Sequence, residues 1–236
     1  MLESKHYISS YCHIKANRIS LNGNVLFEEA ADDLVPFMKL AYRNFKTDYP
    51  KFFKMDRLSK LAFLAAEVLL LDRTPSARGQ SQENSSHGNP FQNNPVHVDP
   101  SLENSSRKNQ NTAIILSNRA SSLDTDRKYQ ESIFDTDNFY PSPAVFVYTL
   151  PNICIGEISI RHKLRSENSF FIFDAFNPGF MKDYSESLLQ TGKADQILCG
   201  WVDVDGDSYE AFLYLVSPTG ERLHTEQQLI KLYATP

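Results

Sequence analysis

The 236-residue sequence holds only 9 glycines, 3 cysteines and 1 tryptophan, and each shortage removes a class of function. So few glycines leave no Gly-x-Gly-x-x-Gly and no P-loop, the backbone cradles on which the common nucleotide-phosphate sites depend. Cys12, Cys154 and Cys199 are scattered, odd in number and without ligand spacing. They read as small core side chains in a reducing compartment, not as a disulfide framework or a metal cage. No apolar run approaches the roughly 20 residues of a membrane span, and Met1–His6 lacks the charged-then-apolar pattern of a signal peptide. The chain is therefore expected in the cytoplasm, away from any membrane. A net charge of -5 lacks the clustered basic excess that a nucleic-acid backbone demands.

What remains is an ordinary globular composition, 41% hydrophobic and 22% charged, long enough for one sizeable core. His6–Ala16 alternates and is rich in β-formers, which predicts a strand. Residues 32–45 predict a helix capped by Asp32 or Asp33, with Pro36 tolerated in its first turns. Residues 55–73 give the strongest helical pattern, with Asp56 as cap and Leu61, Leu64, Ala65, Val68 and Leu69 on one stripe. From about 74 to 110 the chain turns to Ser, Asn, Gln, Gly and Pro, a long polar loop expected to be mobile. Beyond it, Thr112–Ser117 reads as a buried strand, residues 124–133 as a short capped helix and residues 144–150 ("AVFVYTL") as another buried strand. A helix follows from Pro151 to about Leu164.

The Phe170–Phe173 strand is apolar on both faces, which predicts a central position covered from both sides. After it come a helix to about Gln190, two strands joined at Asp205-Gly206, and a short helix over 225–233. "DVDGDSYE" (Asp203–Glu210) resembles a calcium loop superficially, but its carboxylates lack the required spacing and Asp-Gly between apolar strands signals a hairpin. None of the six histidines sits at metal-ligand spacing, although His6 and His13 share a region. The alternation of strands and helices predicts an α/β fold for a single domain, with a mixed sheet covered by helices on both faces.

The stretch "SFFIFDAFNPGFMKDY" (Ser169–Tyr184) carries the candidate chemistry. A strand that breaks sharply into a helix N-terminus is where many α/β enzymes hold a nucleophile, because free N–H groups and the helix dipole stabilise negative charge there. Here the bend offers Ala175 and Phe176. The phenylalanines around it read as core side chains, with Phe176 set apart by its place at the bend. "RHKLR" (Arg161–Arg165) gathers basic groups at a helix C-terminus. That most simply complements the helix dipole, with an acidic partner as the lesser alternative.

The order of these segments resembles the N-terminal half of the β-ketoacyl synthases, the thiolase-like condensing enzymes. "KFFKMDRLSKLAFLAAEVLL" is similar to their Met-Asp segment and Ala-rich helix. "LPNICIGEISIRHKLRSEN" is similar to their Pro-Asn helix, with Ser166 and Glu167 in place of a Gly-Pro. "GKADQILCGWVD" is similar to their Gly-x-Ala-Asp strand. On this resemblance the nucleophile turn falls on Ala175, Phe176, Asn177, Pro178 and Gly179, and Phe176 replaces the reactive cysteine. The family's second half, with its two catalytic histidines, has no counterpart, since His224 is the only histidine after Phe176.

The resemblance implies a thiolase-like half without catalytic residues, cofactor or metal, similar to the short chain length factors that accompany ketosynthases in aryl polyene and flexirubin-type pigment pathways. It implies a partner, a full-length ketosynthase, or self-association where none is present. The contact would run through Phe170, Phe171, Ile172, Phe173 and Asp174, with Asn152 nearby. An acyl carrier protein would meet Arg161, Lys163 and Arg165. Phe176 would plug the subunit's own acyl tunnel. Two other readings stay open from the residues: a small acyl-thioester hydrolase with its nucleophile elsewhere, and a carrier-protein-binding scaffold without a ketosynthase.

Overall fold

Turn chemistry at the start of the chain already dictates antiparallel pairing. Ala16-Asn17 and Asn22-Gly23 all adopt positive φ (48°, 58°, 53° and 83°), the geometry of two-residue hairpin turns whose twist matches the flanking strands. They connect β1 (Tyr7–Lys15), β2 (Arg18–Leu21) and β3 (Asn24–Glu28). The computed structural model describes residues 5–71, 111–134 and 140–235; the polar stretch 74–110 lies outside the described residues. The remaining elements are α1 (Leu34–Asn44), a 3-10 turn (Pro50–Lys54), α2 (Arg57–Leu71), β4 (Thr112–Asn118), α3 (Leu123–Phe134), α4 (Pro143–Val147) and α5 (Ile153–His162). They are followed by β5 (Asn168–Ile172), α6 (Pro178–Gln190), β6 (Gln196–Asp205), β7 (Ser208–Ser217), β8 (Arg222–Leu223) and α7 (Glu226–Ala234).

The strands form one mixed sheet in the order β3-β2-β1-β7-β6-β4-β5, with β8 paired to β1. β4 is parallel to β5 and β6, while β6–β7, β1–β7 and the N-terminal meander are antiparallel. One face carries α1, α2 and α5 over Ile14, Ile114, Leu116, Leu198 and Leu213. The other carries α6 and α7 over Ile115, Ile197, Cys199, Phe212 and Tyr214. A mixed sheet covered by helices on both faces is therefore what the chain forms. The β6–β7 hairpin turns at Gly206-Asp207, as the Asp-Gly signal requires, with Gly206 at φ 58°.

Caps set the helix starts. Asp33 Oδ1 accepts the Leu34 N–H at 2.7 Å, and Asp56 Oδ1 accepts the Ser59 N–H at 2.9 Å. α2 is buried along its whole length from Leu58 to Leu70, not on a single stripe, because it packs on the sheet below and on α1 and α5 beside it. Two charges on this face stay satisfied. Arg161 grips the buried Glu67 through Nε (2.7 Å) and Nη2 (3.2 Å), and His162 Nε2 lies 3.0 Å from the same carboxylate. Burial alone would raise the Glu67 carboxyl, but the His162 and Arg161 partners outweigh it and hold it below the ordinary range.

Three sequence expectations need correction. Among the described residues β5 is an edge strand, paired only with β4, not a central one. Its residues are apolar on both faces because Phe170 packs toward α2 and α5 and Phe171 toward α6, which a central strand would also show. Residues 144–150 are no buried strand. Ser142 accepts the Val145 N–H and Pro143 fixes the first turn of α4, so capping overrides the β-preference of Val145, Phe146 and Val147. Pro151 precedes α5, whose first residue is Ile153. The pair β2 and β3 was not anticipated, because Arg18–Glu28 is too short and mixed to display a period. The three cysteines are free and buried, as expected.

Gly200 on β6 is fixed by space. A Cβ there would sit 2.2 Å from the Phe212 carbonyl oxygen and 2.4 Å from Leu213 Cδ2. Gly200→Ala is expected to lower stability by about 1–3 kcal/mol, the typical cost of overpacking. A leftward shift of the urea unfolding midpoint with an unchanged slope measures it, and an unchanged midpoint refutes the close approach.

Candidate functional site

Beyond Ile172 the chain leaves the sheet while the Phe173 N–H still reaches the Asn118 carbonyl at 2.9 Å. It then bends through Asp174 and Ala175, both exposed, into α6. A helix start of this kind normally presents unpaired N–H groups to an anion. Here the chain itself meets part of that need. Asn177 is the N-cap, its Oδ1 accepting the Phe180 N–H at 3.0 Å, and Pro178 has no N–H to offer. The Glu226 carboxylate, from the first turn of α7, lies against Gly179, with Oε1 3.3 Å from where a Cβ would stand. A carboxylate thus stands beside the N-terminal end of α6, where the helix dipole favours negative charge.

Phe176 is half-buried and faces the second core cluster. Its ring lies 4.8 Å from Tyr233, 5.5 Å from Phe212 and 6.4 Å from Trp201, centroid to centroid. With Arg119, Asp174, Ala175, Asp203, Ser208 and Glu210, the side chains of Phe176, Trp201 and Tyr233 border an open cleft of about 260 Å³, at the C-terminal ends of β4 and β6. Asp203 Oδ1 accepts the N–H groups of Arg119 (3.1 Å) and Ala120 (2.9 Å), which pins the chain leaving β4. Glu210 accepts from Trp201 Nε1 (3.0 Å), Tyr233 Oη and Lys15 Nζ (3.0 Å). Burial would raise its carboxyl, yet the Tyr233, Lys15 and Trp201 hydrogen bonds and the Lys15 charge hold it below the ordinary value. The cleft residues Trp201, Asp203, Glu210 and Tyr233 were not singled out from sequence as a site; the string Asp203–Glu210 was read only as a hairpin.

The residues expected at an interface are found together. Phe170–Ile172 lie on β5, which ends the sheet among the described residues, and Ile172 is 49% exposed. Phe173 and Asp174 follow directly after the strand, and Asn152 stands exposed at the head of α5, which packs against β5. On the α6 side Phe171, Phe173, Phe180 and Tyr184 make one aromatic group, with centroid separations from 4.7 to 6.0 Å. The basic trio does not act as a unit. Arg161 is turned inward onto Glu67 and the Asp48 carbonyl, whereas Lys163, the left-handed cap of α5, and Arg165 are exposed. No thiol stands ready for chemistry, since burial pushes Cys199 up to about 12 and raises Cys12 and Cys154 further. Among the described residues no Ser or Cys side chain hydrogen-bonds a histidine, no group of His, Cys, Asp and Glu could hold a metal, and no helix is long and apolar enough to cross a membrane.

This architecture is the thiolase-like α/β fold of ketosynthase and chain length factor chains. The solved structures that share it include the ishigamide ketosynthase/chain length factor, with TM-score 0.56 and 16% identity over 92% of this chain and 64% of that one. A chain of the complex of the ketosynthase ApeO with its chain length factor ApeC from Xenorhabdus doucetiae matches with TM-score 0.55 and 14% identity, over 98% of this chain and 90% of that one. A chain of AntDE:AntF, a type II acyl carrier protein in complex with its ketosynthase, matches with TM-score 0.52 and 11% identity over 98% of this chain and 66% of that one. No family model and no curated protein matches the sequence.

The cleft yields a pH-dependent prediction. Because the folded Glu210 carboxyl is held below the ordinary glutamate value of about 4.3, the stability it supplies is complete above that value and is lost as pH falls through the folded one. Glu210→Gln should therefore lower the unfolding midpoint near neutrality, and the gap to the unaltered protein should close on acidification. Emission of Trp201, the only tryptophan, reports the transition; a gap independent of pH refutes the assignment.

Proposed function

We propose that the chain is a non-catalytic, chain-length-factor-like subunit that pairs with a ketosynthase in the cytoplasm and shapes its acyl tunnel in polyketide- or fatty-acid-type biosynthesis of the aryl polyene kind. The observation that carries this reading is the β5 edge, unpaired among the described residues and flanked by the aromatic group, running into a bend that holds Phe176 and a helix start capped by Asn177. On this reading the bend is a degenerate nucleophile turn. A thiolate at such a position would attack an acyl thioester; a benzyl group has no such chemistry. An unpaired, apolar strand edge is a template for another chain, and the apolar surface continues on the other side through Leu150 (54% exposed) and Ile160 (63%). Two structures that share the fold are ketosynthase–chain length factor pairs, and a third contains an acyl carrier protein with its ketosynthase. A carrier protein would meet Lys163 and Arg165, with Arg161 holding α5 in place instead of contacting the partner.

Co-expression with a ketosynthase tests the pairing. The complex should bury roughly 2,000 Å² or more and elute as one species in size exclusion. Phe171→Asp should abolish co-elution while leaving the circular dichroism spectrum intact; a folded variant that still co-elutes places the interface elsewhere. The subunit alone should form no condensation product with acyl and malonyl thioesters, and Phe176→Cys should not restore turnover, as judged by mass spectrometry of the carrier-bound chain.

Phe176→Ala separates packing from tunnel shaping. A half-buried ring should cost about 2–3 kcal/mol, less than the ~3–5 kcal/mol of a fully buried one, so the complex should still assemble. A changed length distribution of the acyl products supports a plug or tunnel wall; an assembled, active complex with unchanged lengths refutes it.

A further inference from the structure

A second polar cluster lies on the same face as the turn but outside the cleft. His6, just before β1, and His224, just before α7, both direct Nδ1 at the Glu186 carboxylate on α6, at 2.7 and 3.1 Å. The backbone joins the same two residues, since the His224 N–H donates to the His6 carbonyl at 2.9 Å. A carboxylate only accepts, so each neutral imidazole must carry its proton on Nδ1 and present Nε2 as a lone pair. The His224 ring is 0% exposed and its Nε2 has no hydrogen-bond partner. The nearest ring is that of Tyr214 on β7, 5.9 Å away, whose hydroxyl is also buried and unpartnered by hydrogen-bond geometry.

We propose that His6, Glu186 and His224 form a pH-sensitive latch, which holds α7 and β8 onto β1 and α6 near neutral pH and releases them when both imidazoles are protonated. The charge of the cluster decides the outcome. With both rings neutral it is −1, one proton makes a balanced ion pair, and a second leaves a net positive charge in a site where His224 is fully covered. That second proton also converts the orphan Nε2 into a buried N–H, and burying an uncompensated charge or donor is costly. His6 is 8% exposed and Glu186 14%, so the cluster reaches solvent on that side.

The other titratable groups on the packed elements do not neutralise a second proton. Tyr214 and its cross-strand neighbour Cys199 on β6 are pushed up by burial and stay neutral. Arg222 on β8 is cationic and lies over the Tyr11 ring, and Glu226 on α7 is directed at Gly179. Glu186 itself would be raised by burial, but the His224 and His6 hydrogen bonds hold it below the ordinary range, so it remains the single anion. The far end of α7 has its own histidine tie, His13 Nε2 donating to the Leu232 carbonyl at 3.0 Å, and burial pushes His13 below its ordinary value. Opening the latch would loosen α7, and with it Tyr233 over Phe176 and Glu226 at the head of α6.

Hydrogen–deuterium exchange of the full chain, corrected for intrinsic rate, tests the latch at about pH 7.5 and about pH 5.5, on either side of the ordinary imidazole range. Residues 5–8 and 222–235 should open at least about fivefold more at the lower pH, while β4 and β6 stay protected. Gln donates to Glu186 but carries no titratable ring, so His6→Gln and His224→Gln should each abolish the rise. If His224→Gln does not fold, His6→Gln alone decides. Equal opening at the two pH values, a rise that survives in His6→Gln, or a rise removed only by His13→Gln overturns the proposal.

Discussion

Everything in this molecule is arranged around β6 and its two neighbours, whose backbones must find partners while both of their faces are covered. β4 is buried throughout and β6 in all but its last residue, so no water satisfies their polar groups and the ladder must do it. That requirement demands one layer of helices on each side. α2 is the extreme case: a helix buried all round survives only where sheet and neighbouring helices surround it. The close approach at Gly200 and the Glu67–Arg161 grip are consequences of this dense packing on the two faces.

The candidate site follows from where the sheet stops. β5 takes its hydrogen bonds from β4 alone, so its outer edge ends the sheet and the chain that leaves it must turn at once into α6. A helix start at that point has a dipole to satisfy. In this chain Asn177 caps it, Pro178 has no N–H to satisfy and Glu226 stands close by, and Phe176 tucks its ring among Phe212, Trp201 and Tyr233. The bend is thus a packing junction between α6, α7 and the hairpin β6–β7, and the proposed partner surface is the strand edge beside it. Charge has been kept where hydrogen bonds can hold it, with Glu210, Asp203 and Glu186 each serving two or more donors.

The sequence by itself determined the elements whose causes are local. Capping at Asp56 and at one of Asp32 and Asp33, the Asp-Gly hairpin, the long apolar run of α2 and most of the strands and helices were legible, and with them the α/β class and the bend at Asn177–Gly179; β2, β3 and the helix over Pro143–Val147 were not. Only the tertiary structure decided what depends on neighbours distant in the chain. A strand apolar on both faces looks the same in the middle of a sheet as at its edge, so the position of β5 waited on its pairing with β4. Arg161 reads as one of several surface cations until Glu67, brought up by α2, claims it. Glu226 at the head of α6, and His6 and His224 on one carboxylate, are separated by tens to hundreds of residues. No spacing rule reaches that far, because their meeting is a property of how the layers close and not of any local stretch.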